Sequence, residues 1–189
     1  MALAQIARYS PAWPEEFQRI AVVIRRTLGP RALRIDHIGS TSVPGLPAKD
    51  IIDIQVTVAA LDPKVVDALQ VSGLQLRPYD RDHPPPGADG PPDDWAKRLM
   101  SEPPGQRRAN VHIRVQGRPN QRYALLFRDY LRAHPSAAAA YGAVKRELAG
   151  LSLETGVYAD VKDPVCDLIM VAAEDWATRT GWHPGPSDA

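Results

Sequence analysis

Hydrophobic positions follow helical spacing in some stretches of the chain and extended spacing in others, which predicts a mixture of helices and strands. Phe17, Ile20, Ile24 and Leu28 recur every three or four residues behind Pro14, as in an amphipathic helix. Short strands are predicted at 33–38, 49–58, 74–79, 95–100 and 109–116. Further helices are predicted at 63–72, 119–133, 136–151 and 163–179, with a break at 155–156.

The stretch 49–58 alternates between apolar and polar side chains with a period of two. Asp53 and Gln55 lie on the face opposite its apolar side chains, so one face belongs to a core and the other is free to line a cleft. The later strand repeats the pattern, with His112 and Arg114 on its polar face. Two neighbouring strands would therefore present polar side chains to the same side of a sheet.

The order of elements predicts an α+β (mixed α/β) fold. A helix comes first, then strands with one helix between them, then helices that can pack on the sheet. The length of 189 residues suits a single domain over 1–189. The segment 80–94 holds five prolines and predicts a mobile surface loop, and the tail 181–189 is expected to be frayed.

Composition removes several classes of function. The chain carries 23 basic and 22 acidic residues, so no overall field attracts nucleic acid or an anionic membrane, and neither partner is expected. No apolar run approaches the roughly 20 residues of a membrane span, and residues 1–9 lack the layout of a secretory signal, so the cytoplasm is expected. Cys166 is the only cysteine in the sequence, so an intramolecular disulfide and a thiolate metal cluster are excluded. It is interpreted as a buried packing residue.

The strongest chemical signal is the turn that contains Gly39 and Ser40, followed by Asp53. A strand that ends in Gly-Ser lets backbone N–H groups approach an anion closely. A carboxylate on the adjacent strand can hold a metal ion against the same anion. This combination suits phosphoryl or nucleotidyl transfer, because that catalysis depends on positioning and charge neutralisation. Alternatively, Asp53 caps a turn or pairs with Arg114 across strands.

Longer motifs resemble a known family. The block from His37 to Lys49, His-Ile-Gly-Ser-Thr-Ser-Val-Pro-Gly-Leu-Pro-Ala-Lys, is followed by the strand motif Asp-Ile-Gln-Val at 53–56. The motif Arg-x-x-x-His at 108–112 and the motif Tyr-x-x-x-Lys at 158–162 follow in order. Together these motifs resemble the GrpB family over roughly residues 8–178. Members of that family occur alone and also fused behind dephospho-CoA kinase.

The resemblance implies a nucleotidyltransferase-like fold. In that fold a short motif, made of a hydrophobic residue, a glycine and then a glycine or serine, precedes a strand that contains Asp. It implies a nucleoside triphosphate as substrate, Mg²⁺ as a possible cofactor and a small-molecule acceptor as the partner. Asp53 would hold the metal with Gln55, and His37 or His112 would orient the acceptor or act as a base. The side chains and turns expected to contact phosphate are Gly39, Ser40, Thr41, Lys49, Arg108, Arg114, Tyr158 and Lys162.

One departure from the nucleotidyltransferase pattern leaves two other functions open. Gln55 stands where active enzymes carry a second carboxylate, and two-metal catalysis needs two or three carboxylates. A non-catalytic nucleotide- or protein-binding accessory module would keep the cleft without them. A single-metal hydrolase would instead use His37, Asp53 and His112 as ligands. The oligomeric state stays open.

Overall fold

The computed structural model describes residues 3–189. Its first half contains helix α1 (Trp13–Leu28), strand β1 (Arg34–Ile38), strand β2 (Ile52–Val58), helix α2 (Pro63–Val71) and strand β3 (Gln75–Arg77). Its second half contains strand β4 (Arg98–Ser101), strand β5 (Ala109–Val115) and helices α3 (Pro119–Ala133), α4 (Pro135–Gly150) and α5 (Thr155–Thr180). Short 3-10 helices lie at Gly29–Arg31, Ser40–Ser42 and Pro92–Trp95.

The strands form one mixed sheet in the order β1-β2-β5-β4-β3. Strands β2 and β5 run parallel at its centre, and the other pairings are antiparallel. The register places Asp53 opposite Asn110 and Gln55 opposite His112, so these four side chains share a face. The predicted α+β class, a small mixed sheet flanked by helices, is confirmed.

Helices α1 and α2 cover the apolar face of the sheet. Their buried side chains, among them Phe17, Ile24 and Leu69, form one core with the apolar positions of β2 and β5. Helix α2 begins where predicted, because the Asp62 carboxylate accepts a hydrogen bond of 2.9 Å from the Lys64 backbone N–H. This core fixes β2 from behind and leaves its polar face to the other layer.

Helices α3, α4 and α5 cover the polar side and pack around a second apolar cluster that includes Leu126, Tyr141 and Ala173. Helix α5 begins at Thr155, whereas the sequence pattern predicted a break there and a start at 163. Pro164 lies inside this helix, where its ring removes one backbone hydrogen-bond donor. The helix nevertheless begins before the proline, and Tyr158 in its first turns is buried. None of the described helices is long and apolar enough to cross a membrane.

The tail is ordered where fraying was predicted. Ala189 donates its backbone N–H to the Ile35 carbonyl at 3.1 Å, so the tail runs along the open edge of β1. The Asp188 carboxylate accepts hydrogen bonds from the His37 backbone N–H at 2.9 Å and from Arg128 at 2.8 Å. Backbone pairing to an unpaired edge and a buried arginine, neither of them visible in local sequence, explain the difference.

The proline-rich segment is fixed at both ends. Asp82 donates its backbone N–H to the Trp95 carbonyl at 2.8 Å. The Asp82 carboxylate accepts two hydrogen bonds from Arg114 of β5, at 2.8 and 2.9 Å, and one from Lys97 at 2.7 Å. This carboxylate therefore ties the segment to the polar face of the sheet, while mobility between the fixed ends stays a prediction.

We expect Asp82→Ala to destabilise the protein by about 3 kcal/mol, because it leaves the buried Arg114 guanidinium without its carboxylate. Urea unfolding at neutral pH measures the loss. Asp89→Ala removes an exposed carboxylate from the same segment and should change the free energy of unfolding by less than about 0.5 kcal/mol. Equal effects of the two substitutions would show that the Asp82 contacts do not hold this segment.

The same pair predicts a pH dependence. Burial alone would raise the pKa of Asp82, but the charges and hydrogen bonds of Arg114 and the charge of Lys97 hold it well below its usual range. A depressed folded pKa stabilises the protein above the unfolded value of about 4, and the contribution is lost as pH falls below it. The stability difference between wild type and Asp82→Ala should therefore shrink in acid.

Candidate functional site

A cleft of about 690 Å³ lies between the polar face of the sheet and the helices α3–α5. On the sheet side it is lined by the Gly39–Thr41 turn, Asp53, Asn110 and His112. On the helical side it is lined by Tyr141, Lys145, Tyr158, Lys162 and Cys166. Its size is that of ordinary small-molecule sites, and polar groups converge in it from opposite walls.

The backbone of the Gly39 turn packs closely against the Asp53 carboxylate. Gly39 has φ +67 and ψ −171, a backbone conformation open essentially to glycine alone. A Cβ atom at this position would lie 2.5 Å from Oδ2 of Asp53. Glycine is thus required here by both backbone and space, which lets the turn pass directly over the carboxylate.

Asp53 is held as a carboxylate by its neighbours on β5. Asn110 donates a hydrogen bond of 2.9 Å to Oδ1 of Asp53, and Nε2 of His112 lies 3.9 Å from the same oxygen. Burial alone would raise the pKa of Asp53, but hydrogen bonding and charge from His112, together with Asn110, keep it below its ordinary value. The group is therefore charged at neutral pH.

His112 has a defined tautomer. Nη2 of Arg114 lies 3.3 Å from Nδ1 of His112, and because arginine only donates, Nδ1 must accept. The ring proton then sits on Nε2, the nitrogen that faces Asp53. Burial first and the charge of Arg114 second lower the pKa of His112, although Asp53 opposes them. In this tautomer the Nε2–H of His112 faces the Asp53 carboxylate, 3.9 Å away, and Nε2 is not available as the base that the sequence suggested.

The polar side chains beneath the cleft bear on two predictions, those for Gln55 and Arg114. Gln55 is fully buried; its Oε1 accepts from Arg114 at 2.7 Å and its amide donates to the Gln121 carbonyl at 3.1 Å. Its oxygen faces a guanidinium cation, which argues against the predicted metal ligand. Arg114 lines the cleft but is engaged with Asp82, Gln55 and His112, so its structural contacts are established, whereas its predicted phosphate contact stays a prediction.

His37 lies on the other face of the sheet. Its ring stacks on Phe17 of α1 with centroids 4.9 Å apart, and its Nε2 lies 2.9 Å from Oγ1 of Thr41. Antiparallel pairing puts His37 opposite Ile54, whose side chain is in the apolar core. His37 therefore lies on the opposite face of the sheet from Asp53 and His112. This position does not suit its predicted catalytic role or a single metal ion held by all three side chains.

Seven lysine and arginine side chains line the cleft, and two of them, Lys97 and Arg114, pair with Asp82. Lys49, Arg108 and Lys162 were predicted as phosphate contacts and Lys145 joins them from α4. Nζ of Lys49 lies 4.2 Å from the centroid of the Tyr158 ring, which packs the predicted Tyr158 beside it. Within residues 3–189 none of the ion pairs involves Lys49, Arg108 or Lys145, so none of these three side chains has a carboxylate in direct contact.

Several lining residues were not predicted as site residues. Asn110 shares the strand phase of His112, a signal that the alternation of β5 does provide. Cys166 was interpreted as a buried packing residue, yet it lines the cleft, with Nζ of Lys162 at 3.2 Å and the Tyr141 hydroxyl at 3.4 Å from its sulfur. Trp95, at the end of the proline-rich segment, also reaches the cavity. Nothing in local sequence places Tyr141 or Cys166 opposite Asp53, because helix docking decides it.

The donor set suits at most a metal ion that arrives with a substrate. Among residues 3–189, no group of three or more His, Cys, Asp or Glu side chains is arranged to hold a metal ion. Mg²⁺ commonly takes one or two carboxylates and completes its shell with water and substrate phosphates. Asp53, whose Oδ2 receives no hydrogen bond from Asn110, fits that single-carboxylate role, and a two-metal centre does not fit.

We expect Gly39→Ala to destabilise the protein by more than Gly45→Ala. Both glycines have positive φ, so each substitution costs about 1–2 kcal/mol of backbone strain, but a Cβ at Gly45 meets nothing within 4 Å. A double-mutant cycle isolates the contribution of the contact with Asp53. In the Asp53→Ala background, Gly39→Ala should reduce the free energy of unfolding, measured in urea, by less than it does in wild type. An unchanged penalty would mean that the turn does not rest on Asp53.

Several known proteins are similar to this chain in sequence. The model of the family described as GrpB protein matches residues 4–171. A dephospho-CoA kinase of Mycolicibacterium paratuberculosis is 42% identical over 190 residues, covering 92% of this chain and 47% of that protein. A UPF0157 protein of Halalkalibacterium halodurans is 37% identical over 171 residues, covering 89% of this chain and 81% of that protein. The chain thus spans about half the length of the kinase relatives that it matches.

A solved structure supports the same assignment. The crystal structure of the conserved protein GrpB from Enterococcus faecalis superposes with a TM-score of 0.73 at 31% identity, covering 91% of this chain and 99% of that one. The family match runs from residue 4 to residue 171 and so includes the cleft-lining part of α5. The resemblance first drawn from the His37–Lys49 block is confirmed, and the chain belongs to the GrpB family.

Proposed function

We propose that this chain binds a nucleoside triphosphate with Mg²⁺ in the cleft and transfers a nucleotidyl or phosphoryl group to a small-molecule acceptor. One observation carries the proposal: the Asp53 carboxylate and the Gly39–Ser40 turn line one cavity together with the cations Lys49 and Arg108. A polyphosphate needs cations and close backbone approach, and a transfer enzyme needs them held in place before the reaction. The nucleotidyltransferase-like resemblance of the Gly-Ser and Asp motifs supports the same assignment.

Each residue has a distinct task in this proposal. Asp53 holds the metal ion that accompanies the triphosphate, and that ion supplies charge neutralisation at the phosphates. Arg108, exposed at the cleft, and Lys49 neutralise the remaining phosphate charge. His112 donates its Nε2 proton as a hydrogen bond towards the reacting group. Because Nδ1 is occupied by Arg114, the ring orientation is fixed before substrate binds.

The alternative of a non-catalytic nucleotide-binding module rests on Asn110. This amide stands where a second carboxylate could reach the metal, and it instead donates to Asp53. A module of this kind would show the same ligand binding but no turnover. Assays of released pyrophosphate or phosphate with bound nucleotide present therefore separate the two functions.

We expect Mg²⁺ with the preferred nucleoside triphosphate to raise the melting temperature. The stabilisation is about 2.7 kcal/mol at a hundredfold excess over Kd. Asp53→Asn should abolish the Mg²⁺-dependent part, because an amide carries no charge for the ion. Asp67→Asn, the same change on exposed Asp67 of α2 behind the sheet, should retain it. A Mg²⁺-dependent shift that survives in Asp53→Asn would remove Asp53 from the site.

Asn110→Asp provides a gain-of-binding test. It would place a second carboxylate about one hydrogen-bond length from Asp53, and two adjacent carboxylates repel each other unless a cation joins them. We expect tighter Mg²⁺ binding than in wild type and a lower melting temperature without the metal, both measured by titration with Mg²⁺. Unchanged Mg²⁺ affinity would show that position 110 does not face the ion.

A further inference from the structure

The helical wall of the cleft contains a buried lysine without a counter-ion. Lys145 of α4 is 2% exposed, donates to the Pro47 carbonyl and lies 4.7 Å from the centroid of the Tyr141 ring. No carboxylate within the described range 3–189 forms an ion pair with it. An ammonium group has three donors, and one carbonyl uses a single donor. Burying such a charge without an anion is costly, so the arrangement calls for an external one.

A second unsatisfied group lies beside it. The Tyr158 hydroxyl is buried and has no hydrogen-bond partner among residues 3–189. Its neighbourhood is the same end of the cleft, because it interacts electrostatically with Lys162, Cys166 and Tyr141. Buried hydroxyls in native proteins nearly always have a partner, which points to a ligand atom here.

Lys162 completes the group from α5. Its Nζ lies 3.2 Å from Asp163 and 3.2 Å from Cys166, and it lines the cleft with Lys145 and Tyr158. The two ammonium groups come from different helices, and their mutual repulsion is relieved by an anion between them. Two positive charges with a hydroxyl donor match a doubly charged oxyanion better than a singly charged one.

We infer that Lys145, Lys162 and the Tyr158 hydroxyl form a second anion site on the helical wall, which binds a phosphate-monoester dianion. It lies across the cleft from the Gly39 turn and Asp53, so it serves a different group from the metal-bound phosphates. Its identification as the site for a phosphorylated acceptor rests on the proposed function. Binding of a dianion there does not.

Protonation of Lys145 couples this site to pH. Burial first, and the charge of Lys162 second, lower the pKa of Lys145 to about 7; Arg146 acts in the same direction, whereas Cys166 and Asp53 oppose it. Tyr141 faces it with a ring and no charge at this pH. An anion favours the ammonium form and raises this pKa, so binding takes up a proton. Affinity for the dianion is then highest below pH 7 and falls as pH rises.

Sulfate is the suitable probe, because its charge does not change across the range in which Lys145 titrates. We expect its Kd, measured by calorimetry on the full chain, to rise about fivefold between pH 7 and pH 8 and to approach tenfold per pH unit only above about pH 8. Lys145→Met should weaken sulfate binding by about tenfold or more and flatten the pH profile. Arg146→Met, an exposed neighbour on the same helix, should retain affinity and slope.

Tyr158→Phe distinguishes a ligand contact from a packing role. Removing an unpartnered buried hydroxyl should keep or raise the melting temperature while sulfate binding weakens. A lower melting temperature with unchanged sulfate affinity would exclude the hydroxyl from the site. Acetate, with one charge, should bind at least about tenfold more weakly than sulfate. Equal affinity would overturn the dianion assignment.

Asp53→Asn separates this site from the proposed function. Sulfate binding and its dependence on Lys145 should persist in Asp53→Asn, even if no nucleoside triphosphate binds to any form of the protein. Sulfate affinity that is independent of pH in the wild type, or equal in wild type and Lys145→Met, would overturn the second site whatever the nucleotide result.

Discussion

The ion pair between Asp82 and Arg114 is the interaction on which the site depends. Arg114 is nearly buried, and its guanidinium connects Asp82, Gln55 and His112 in one hydrogen-bonded set. Through it, residues of the proline-rich segment line the cleft and the His112 proton is directed at Asp53. Since a buried charge without its partner is strongly destabilising, the pair must form whenever the polar face of the sheet is covered.

Strand alternation was sufficient to predict which residues of β2 and β5 share a face. Asp53 and His112 were found this way, because a period of two admits only two phases once the apolar side is known. The same reasoning failed for His37, since Ile35 and Ile38 on β1 point to opposite faces and leave the phase undetermined. Antiparallel register with β2, a long-range property, settles it and places the ring against Phe17.

Residues brought by tertiary docking could not be predicted from local patterns. Asp82 lies in a segment whose prolines and glycines indicate a loop, and nothing nearby distinguishes it from exposed Asp89. The ordered tail has the same origin, because its hydrogen bonds join residues more than 150 positions apart in sequence. Family motifs did better at Lys162, since they combine positions that the fold brings together.

The charge balance of the cleft explains why a single carboxylate is enough. The whole chain carries a formal charge of only +1, yet seven lysines and arginines line the cleft against four aspartates, of which Asp82 is already neutralised by Arg114 and Lys97. Such an excess attracts polyanions, whereas a site for two free metal ions would require the opposite excess. With no second carboxylate beside Asp53, the lysines and arginine would take the place of a second metal. Under the proposed function, phosphate would be recognised chiefly through fixed side-chain charges, and one metal ion would suffice.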